Sequence, residues 1–208
     1  SSNLLTPLDY VTKSEKHRAS VREVSAATRA SGHHSTREHV HYVFGIKNIS
    51  RALIYRAHSQ PHHATDQESQ RYVTMATEGV ILPRVFDNKD ADRLIETAAS
   101  ELFIGYEQLT ALLFPIAREL LLKRYPSRSS EKWAKKIDGE AQKRAQEIGR
   151  YLLPLSMGAN LYHSINELTL IRMAKMVLAD PKDPEMNELV RAMVQAVALY
   201  DPTIWDEI

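Results

Sequence analysis

Two stretches of this 208-residue chain concentrate side chains able to bind ions or hold protons. The first carries seven of the nine histidines: His33, His34, His39, His41, His58, His62 and His63. Neutral imidazole is the commonest biological metal ligand. Yet no HExxH-like helical spacing occurs among them, and His39 and His41 fall on one face of a predicted strand. No metal site is assigned; ordinary polar contacts or a nucleotide pocket suit these imidazoles better. The second stretch, Thr65-Asp66-Gln67-Glu68-Ser69-Gln70-Arg71-Tyr72, packs donors and acceptors densely before an aromatic ring. Arg71 with Ser69 can grip an anion, because guanidinium pairs bidentately with phosphate. Taken alone, the stretch reads as a solvated loop with Arg71 in a salt bridge.

Composition narrows the chemistry further. Hydrophobic residues at 43% and charged residues at 25% are those of an ordinary globular chain, and the length suits one domain, 1–208, with a proper core. A net charge of +1 argues against a nucleic-acid footprint. There is no cysteine, which excludes disulfides, thiolate metal sites and a cysteine nucleophile. No apolar run reaches the roughly 18 residues of a membrane span; the nearest, Ala111 to Leu122, is interrupted by Pro115, Arg118 and Glu119. With no secretory pattern at the first residues, a cytoplasmic location is expected.

The elements that must position these groups follow from periodicity. Residues 1–13 read as irregular. Ser14 to Ala30 reads as a helix with Val21, Val24 and Ala27 on one side, ended by Ser31-Gly32. His39 to Ile46 alternates as a half-buried strand, with Val40, Tyr42, Phe44 and Ile46 inward. Asn48 or Ser50 caps a short helix to Ala57, and residues 58–68, broken by Pro61, read as a loop. Arg71–Thr74 and Val80–Leu82 are candidate short strands. Asp87 or Asn88 opens a long helix that Pro115 should kink before Tyr125, and Ser130 caps another to Ile148. A strand at 161–165 and helices at 166–178 and 185–199 complete an α+β pattern: a small, mainly antiparallel sheet flanked by long helices.

The run from Gly32 to Tyr72 resembles the signature half of the flavin-dependent thymidylate synthase family, often called ThyX. The carrying pieces are Gly32-His33-His34-Ser35-Thr36-Arg37-Glu38-His39, the following strand, Ile49-Ser50-Arg51-Ala52, and Ser69-Gln70-Arg71-Tyr72. Gly149-Arg150-Tyr151-Leu152-Leu153-Pro154 follows where the family has ARxxLP, at the family's distance from Asn166. The resemblance implies a homotetramer whose site forms where subunits meet. FAD would stack near dUMP, a methylenetetrahydrofolate would donate the carbon, and NADPH would reduce the flavin. It places His33, Ser35, Glu38, Asn166 and Arg172 on the cofactor side. Gln67, Ser69, Gln70, Arg71 and Arg150 would line the nucleotide site, Arg150 from another subunit. These types suit the task, since a phosphate needs arginine and a pyrimidine edge needs amides. The flavin would carry the difficult step. Such an enzyme needs no cysteine, unlike the other class of thymidylate synthase. The long helix is apolar on more than one side over 98–122, which also favours an oligomer.

The departures from the family pattern are specific. Its arginine-histidine-arginine triplet, seven residues before the serine of SxRY, is replaced by Ser59-Gln60-Pro61. Losing two charge-assisted contacts weakens flavin binding by about 3–6 kcal/mol, roughly 100- to 10,000-fold. Arg56, His58, His62 and His63 are the neighbours able to compensate. Leu168 and Val177 stand where two later arginines belong, and the helical angle of Arg172 and Lys175 differs from theirs. The family's strand before the first helix is expected to be missing. The resemblance therefore implies either reductive methylation of dUMP to dTMP, or a catalytically silent homologue serving as a structural subunit or half of a tandem protein. A nucleotide-binding relative with a different cofactor is the third possibility.

Overall fold

A computed structural model describes residues 14–69, 81 and 88–208, and among these described residues it has three antiparallel strands and six α-helices. In chain order they are α1 (Glu15–Ala30), β1 (His41–Ser50), α2 (Arg51–His58), β2 (His63–Gln67), α3 (Lys89–Arg124), α4 (Glu131–Gly149), β3 (Gly158–Asn166), α5 (Glu167–Ala179) and α6 (Pro184–Ala198). The candidate strands at 71–74 and 80–82 lie outside the described residues, apart from Ile81. Among the described residues, no helix is long and apolar enough to cross a membrane.

Local chemistry explains most boundaries. Ser14, Asn88, Asn166 and Asp183 each accept a hydrogen bond from the first turn of the helix that follows. Ser50, rather than Asn48, caps α2 by accepting from the Leu53 amide. Gly32 ends the turn after α1 at φ +77°, a conformation open to glycine. The α3 helix runs through Pro115 without ending, so its 36 residues span roughly 54 Å.

The sheet order is β1-β3-β2. Tyr42 faces Ile165, Phe44 faces His163 and Ile46 faces Leu161 across β1 and β3. Their inward side meets the main core, formed by Leu53, Ile165, Leu170, Met173, Val190, Met193, Val194 and Ile204 with their neighbours. The alternation expected for 39–46 holds at Tyr42, Phe44 and Ile46 but not at Val40, which precedes the strand and is exposed; the strand begins at His41 and continues past a bulge between Ile46 and Ile49.

The expected loop at 58–68 is overturned in part: His63–Gln67 is an edge strand paired with β3. Its letters, His-Ala-Thr-Asp-Gln, carry no apolar alternation. The period of two is present in polar form, with His63 and Thr65 half-buried and Ala64 and Asp66 exposed. Thr65 Oγ1 meets His163 Nδ1 at 2.8 Å, and His63 Nδ1 donates to the Gln60 carbonyl at 2.7 Å. Hydrogen bonds do here what aliphatic burial does elsewhere.

The α3 and α4 helices form a hairpin with its own satellite core of Leu121, Ile137 and Ala141. They approach closely at Gly149, where an added Cβ would stand 2.5 Å from Thr110 Oγ1 and 3.2 Å from Tyr106 Cδ2. Gly149→Ala is therefore expected to destabilise the protein by about 1–3 kcal/mol through overpacking. Adding Thr110→Ala should recover part of that loss. Thermal unfolding of the single and double variants checks both statements.

Candidate functional site

The residues singled out above gather at the two ends of β3. At its starting end, β1 terminates at Ser50 opposite Gly158 while β2 terminates at Gln67 opposite Leu161. Arg51 occupies the first position of α2, its amide anchored to the Met157 carbonyl at 3.0 Å. Its guanidinium donates to Gln67 Oε1 at 3.0 Å and also to the Glu68 carbonyl. Asn160 holds Glu68 from the other side, Nδ2 to Oε2 at 3.1 Å, while the Glu68 amide donates to the Asn160 carbonyl. Burial, and then Arg150, pull the Arg51 pKa down against the raising influence of Glu68. Arg150 donates from Nε to the Glu147 carbonyl at 3.2 Å and lies over the Tyr151 ring.

The two guanidinium groups thus sit within electrostatic reach of each other, with Arg51 bonded to Gln67 and to the Glu68 carbonyl. Among the described residues, neither forms an ion pair with a carboxylate. Gln70 and Arg71 lie outside the described residues. Sequence reasoning assigns Arg51 no role; the signal that marks it is its position right after the Ser50 cap, at the end of the sheet.

At the far end of β3 stands the other set. His33, Ser35 and Glu38 are exposed on a 3₁₀ turn spanning His34–Glu38. That turn is held down by Arg37, whose guanidinium is buried and pairs with Glu167 at 2.9 Å and Glu207 at 2.7 Å. Asn166 is buried, and its Oδ1 accepts from the Thr169 amide at 2.8 Å, so its side chain caps α5. A nine-residue strand separates the two sets, a span of roughly 26–30 Å. One copy of the chain does not bring them together.

Between the two ends lies a stack of imidazoles. The ring centroids of His58 and His63 are 5.0 Å apart, and His163 stands 5.7 Å from His63 and 6.3 Å from His58. Burial, then His63 and His58, hold the His163 pKa down at about 4. His163 was outside the sequence cluster of histidines; the sheet register brings it in. His33, His34, His39, His41 and His62 are exposed elsewhere. Among the described residues, no group of three or more His, Cys, Asp or Glu has the geometry to hold a metal ion.

A family model described as thymidylate synthase complementing protein matches residues 5–203. The chain belongs to that family. Flavin-dependent thymidylate synthases from Clostridium tetani and Nitratidesulfovibrio vulgaris are 24% and 27% identical to it over 174 and 142 residues. The matches cover 84% and 68% of this chain but only 65% and 49% of those relatives. Among solved structures, the Helicobacter pylori ThyX complexed with FAD and dUMP superposes with a TM-score of 0.54 at 19% identity, covering 84% of this chain and 76% of that one. A UMP/dUMP methylase, PolB of Streptomyces cacaoi bound with 5-Br dUMP, reaches 0.61 at 16% identity, covering 91% and 80%. The fold is the ThyX fold.

Against the family pattern, the rewritten positions now have visible occupations. Ser59 Oγ donates to the Arg56 carbonyl at 2.6 Å, Gln60 Nε2 lies 3.7 Å from Met176 Sδ, and the Pro61 carbonyl accepts from Thr169 Oγ1 at 3.2 Å. Leu168 is buried and Val177 packs on the main core. Arg56, a neighbour able to compensate, is taken up by Asp183 at 2.6 Å and Glu185 at 3.6 Å. Arg172 is placed differently. It is exposed on α5 between Thr169 and Met176, the two side chains that touch the 59–61 loop. A guanidinium beside that loop, with the hydroxyl and imidazole of Ser35 and His33 and the accepting carboxylate of Glu38 on the neighbouring turn, is a set of donors and an acceptor whose chemistry fits a flavin dinucleotide.

Proposed function

We propose that this protein carries out the reductive methylation of dUMP to dTMP, using methylenetetrahydrofolate, FAD and NADPH, in the cytoplasm and as a homotetramer of one-domain subunits. The observation that carries the reading is the proximity of Arg51 and Arg150, with Arg51 bonded to Gln67. Among the described residues neither guanidinium forms an ion pair, burial outweighs the opposing influence of Glu68 on Arg51, and a nucleotide phosphate is an anion able to join the two cations. In this reading Arg71 and Arg150 hold the phosphate, Arg150 from the same chain as Arg51 rather than from another subunit as the resemblance implies, while Gln67, Ser69 and Gln70 meet the sugar and base. His33, Ser35, Glu38 and Arg172 hold the cofactor, with Asn166 shaping the floor beside them. Bound FAD would supply the hydride. The chain's own contribution is to bind and orient, and the distance between the two ends of β3 makes a second copy the natural complement of each site.

The test uses the whole protein. After incubation with FAD and removal of excess, it should retain flavin's visible absorbance. It should release tritium from C5-labelled dUMP when folate and NADPH are supplied. Arg150→Ala should weaken dUMP binding by about 10- to 150-fold, the loss of one charge-assisted contact. A colourless protein that binds neither FAD nor dUMP would sink the proposal. A second reading, a silent structural subunit or tandem half, is supported by the intrachain contacts that occupy Ser59, Gln60 and Pro61. It predicts ligand binding without tritium release. A relative with a different cofactor would bind the nucleotide and leave FAD in solution.

A further inference from the structure

The net charge of +1 conceals an uneven distribution. Residues 118–136, at the tip of the α3–α4 hairpin, hold seven Lys and Arg against two Asp and Glu, an excess of five, so the rest of the chain is net −4. Arg118, Lys123 and Arg128 are matched by Asp138, Glu119 and Glu140. Lys132, Lys135 and Lys136 are exposed, and among the described residues they form no ion pair with a carboxylate. Lys132, Lys136, Gly139 and Lys143 follow one another at spacings of four, three and four, so they share one ridge of α4, roughly 16 Å long. That ridge lies opposite the buried Ile137, Ala141 and Ala145.

Three features of the ridge work against the fold. Lys132 stands in the first turn of α4, where the helix macrodipole disfavours a cation. Arg128, Lys132 and Lys136 crowd one indole, 5.5, 6.0 and 5.3 Å from the centre of Trp133, each drawn to the ring but repelled by the others. Gly139 sits inside the helix, where glycine is less stable than alanine, although an added Cβ would meet nothing within 4 Å. A polyanion along the ridge reverses all three: its charges suit the helix start and neutralise the cations, and the bare Gly139 admits a close approach.

We propose that the Lys132–Lys143 ridge of α4 is a docking surface for a single-stranded nucleic acid, gripped by its phosphates. An anionic membrane suits the ridge less well. The apolar side of α4 is spent on the hairpin core, and Trp133 is half-buried against it, which leaves no apolar side chain on the ridge to enter a bilayer. With no exposed aromatic for bases to stack on, contact is through phosphates and independent of sequence. Arg150 lies past the opposite end of α4, so this surface stands apart from the nucleotide reading.

Fluorescence anisotropy with a labelled RNA of about 20 nucleotides and mixed sequence tests this on the full chain, with thermal melts of each variant. The logarithm of affinity should fall against that of salt with a slope of about −3, for the phosphates met by four lysines. Lys132→Ala with Lys136→Ala should weaken binding roughly tenfold and reduce the slope by about 1.4, with the melting temperature kept or raised. Gly139→Gln should also keep or raise the melting temperature while weakening RNA binding several-fold, a split that a merely structural glycine would not give. Absence of RNA binding at about 50 mM salt overturns the proposal, as do variants that keep the wild-type affinity and slope. Phosphatidylserine vesicles that displace the RNA at matched charge overturn it in favour of a lipid surface. None of these outcomes bears on the FAD and dUMP assays.

Discussion

Arg37→Met is expected to lower stability by about 3–5 kcal/mol, the cost of leaving a buried carboxylate without its cation. Arg37 is 5% exposed and ties three parts of the chain together: its own 3₁₀ turn, Glu167 at the start of α5, and Glu207 in the C-terminal segment Pro202–Glu207. Glu167 is equally buried, and the Tyr42 hydroxyl donates to it at 3.4 Å. Burial already pushes the Glu167 carboxyl above its ordinary range, and Arg37 is the main influence opposing this. Removing the guanidinium leaves Glu167 to ionise alone in a dry site or to take up a proton. For a chain of this size the loss corresponds to a midpoint lowered by roughly 6–20 °C. Denaturant unfolding measures it directly. Adding Glu167→Gln should restore a substantial part, because the uncompensated charge is then gone. A single-variant loss under about 1 kcal/mol, the range of surface pairs, would refute the buried-pair account. The same variant should release the turn carrying His33, Ser35 and Glu38, so under the proposed function flavin affinity should fall with stability.

The second large effect concerns acid. His163 is 1% exposed and its pKa is held at about 4, below the ordinary 6.5, by burial first and then by His63 and His58. The folded state therefore keeps the ring neutral where the unfolded chain binds a proton. Stability should fall as pH drops from about 6.5 toward about 4, and this group adds nothing further below that. The gap corresponds to about 3 kcal/mol across the window. His58, lowered by burial and by His63, acts in the same direction. Glu167, raised by burial, acts in the opposite one, since its folded form takes a proton more readily than the unfolded chain. A comparison of variants isolates the histidine. His163→Leu should flatten the pH dependence of unfolding free energy between pH 6.5 and 4.5, whatever its effect at neutral pH. A variant curve parallel to the wild type over that range would show that the stack does not resist protonation.

These two effects have a common physical origin: titratable groups placed in the interior, where burial and the neighbouring groups decide which form is stable. The rewritten family positions follow the same logic in reverse. Leu168 and Val177 have become core residues, and Ser59, Gln60 and Pro61 have become contacts of a tight loop against α5. Cations were lost from positions that now contribute packing or backbone hydrogen bonds. The guanidinium groups that remain in suitable places, Arg51, Arg150 and Arg172, sit where elements end or face outward.

The sequence by itself determined whatever depends on neighbours along the chain. Helix starts were legible at Ser14, Asn88, Asn166 and Asp183, because capping is a contact over three residues. The inward face of β1 was legible in the alternation of Tyr42, Phe44 and Ile46, and family membership in the order of separated motifs. Only the tertiary structure decided what depends on partners far apart in sequence. β2 is a strand because β3 offers it a ladder, something its polar letters do not announce. His163 joins His58 and His63 because strand register carries it there from about a hundred residues away. Arg37 was one polar residue among several in a turn until Glu167 and Glu207 were brought to it. The candidate site shows the same division. Its residue types could be read from the chain, but their separation to opposite ends of β3, and the clamp of Arg51 on Gln67, are set by sheet pairing and by nothing local.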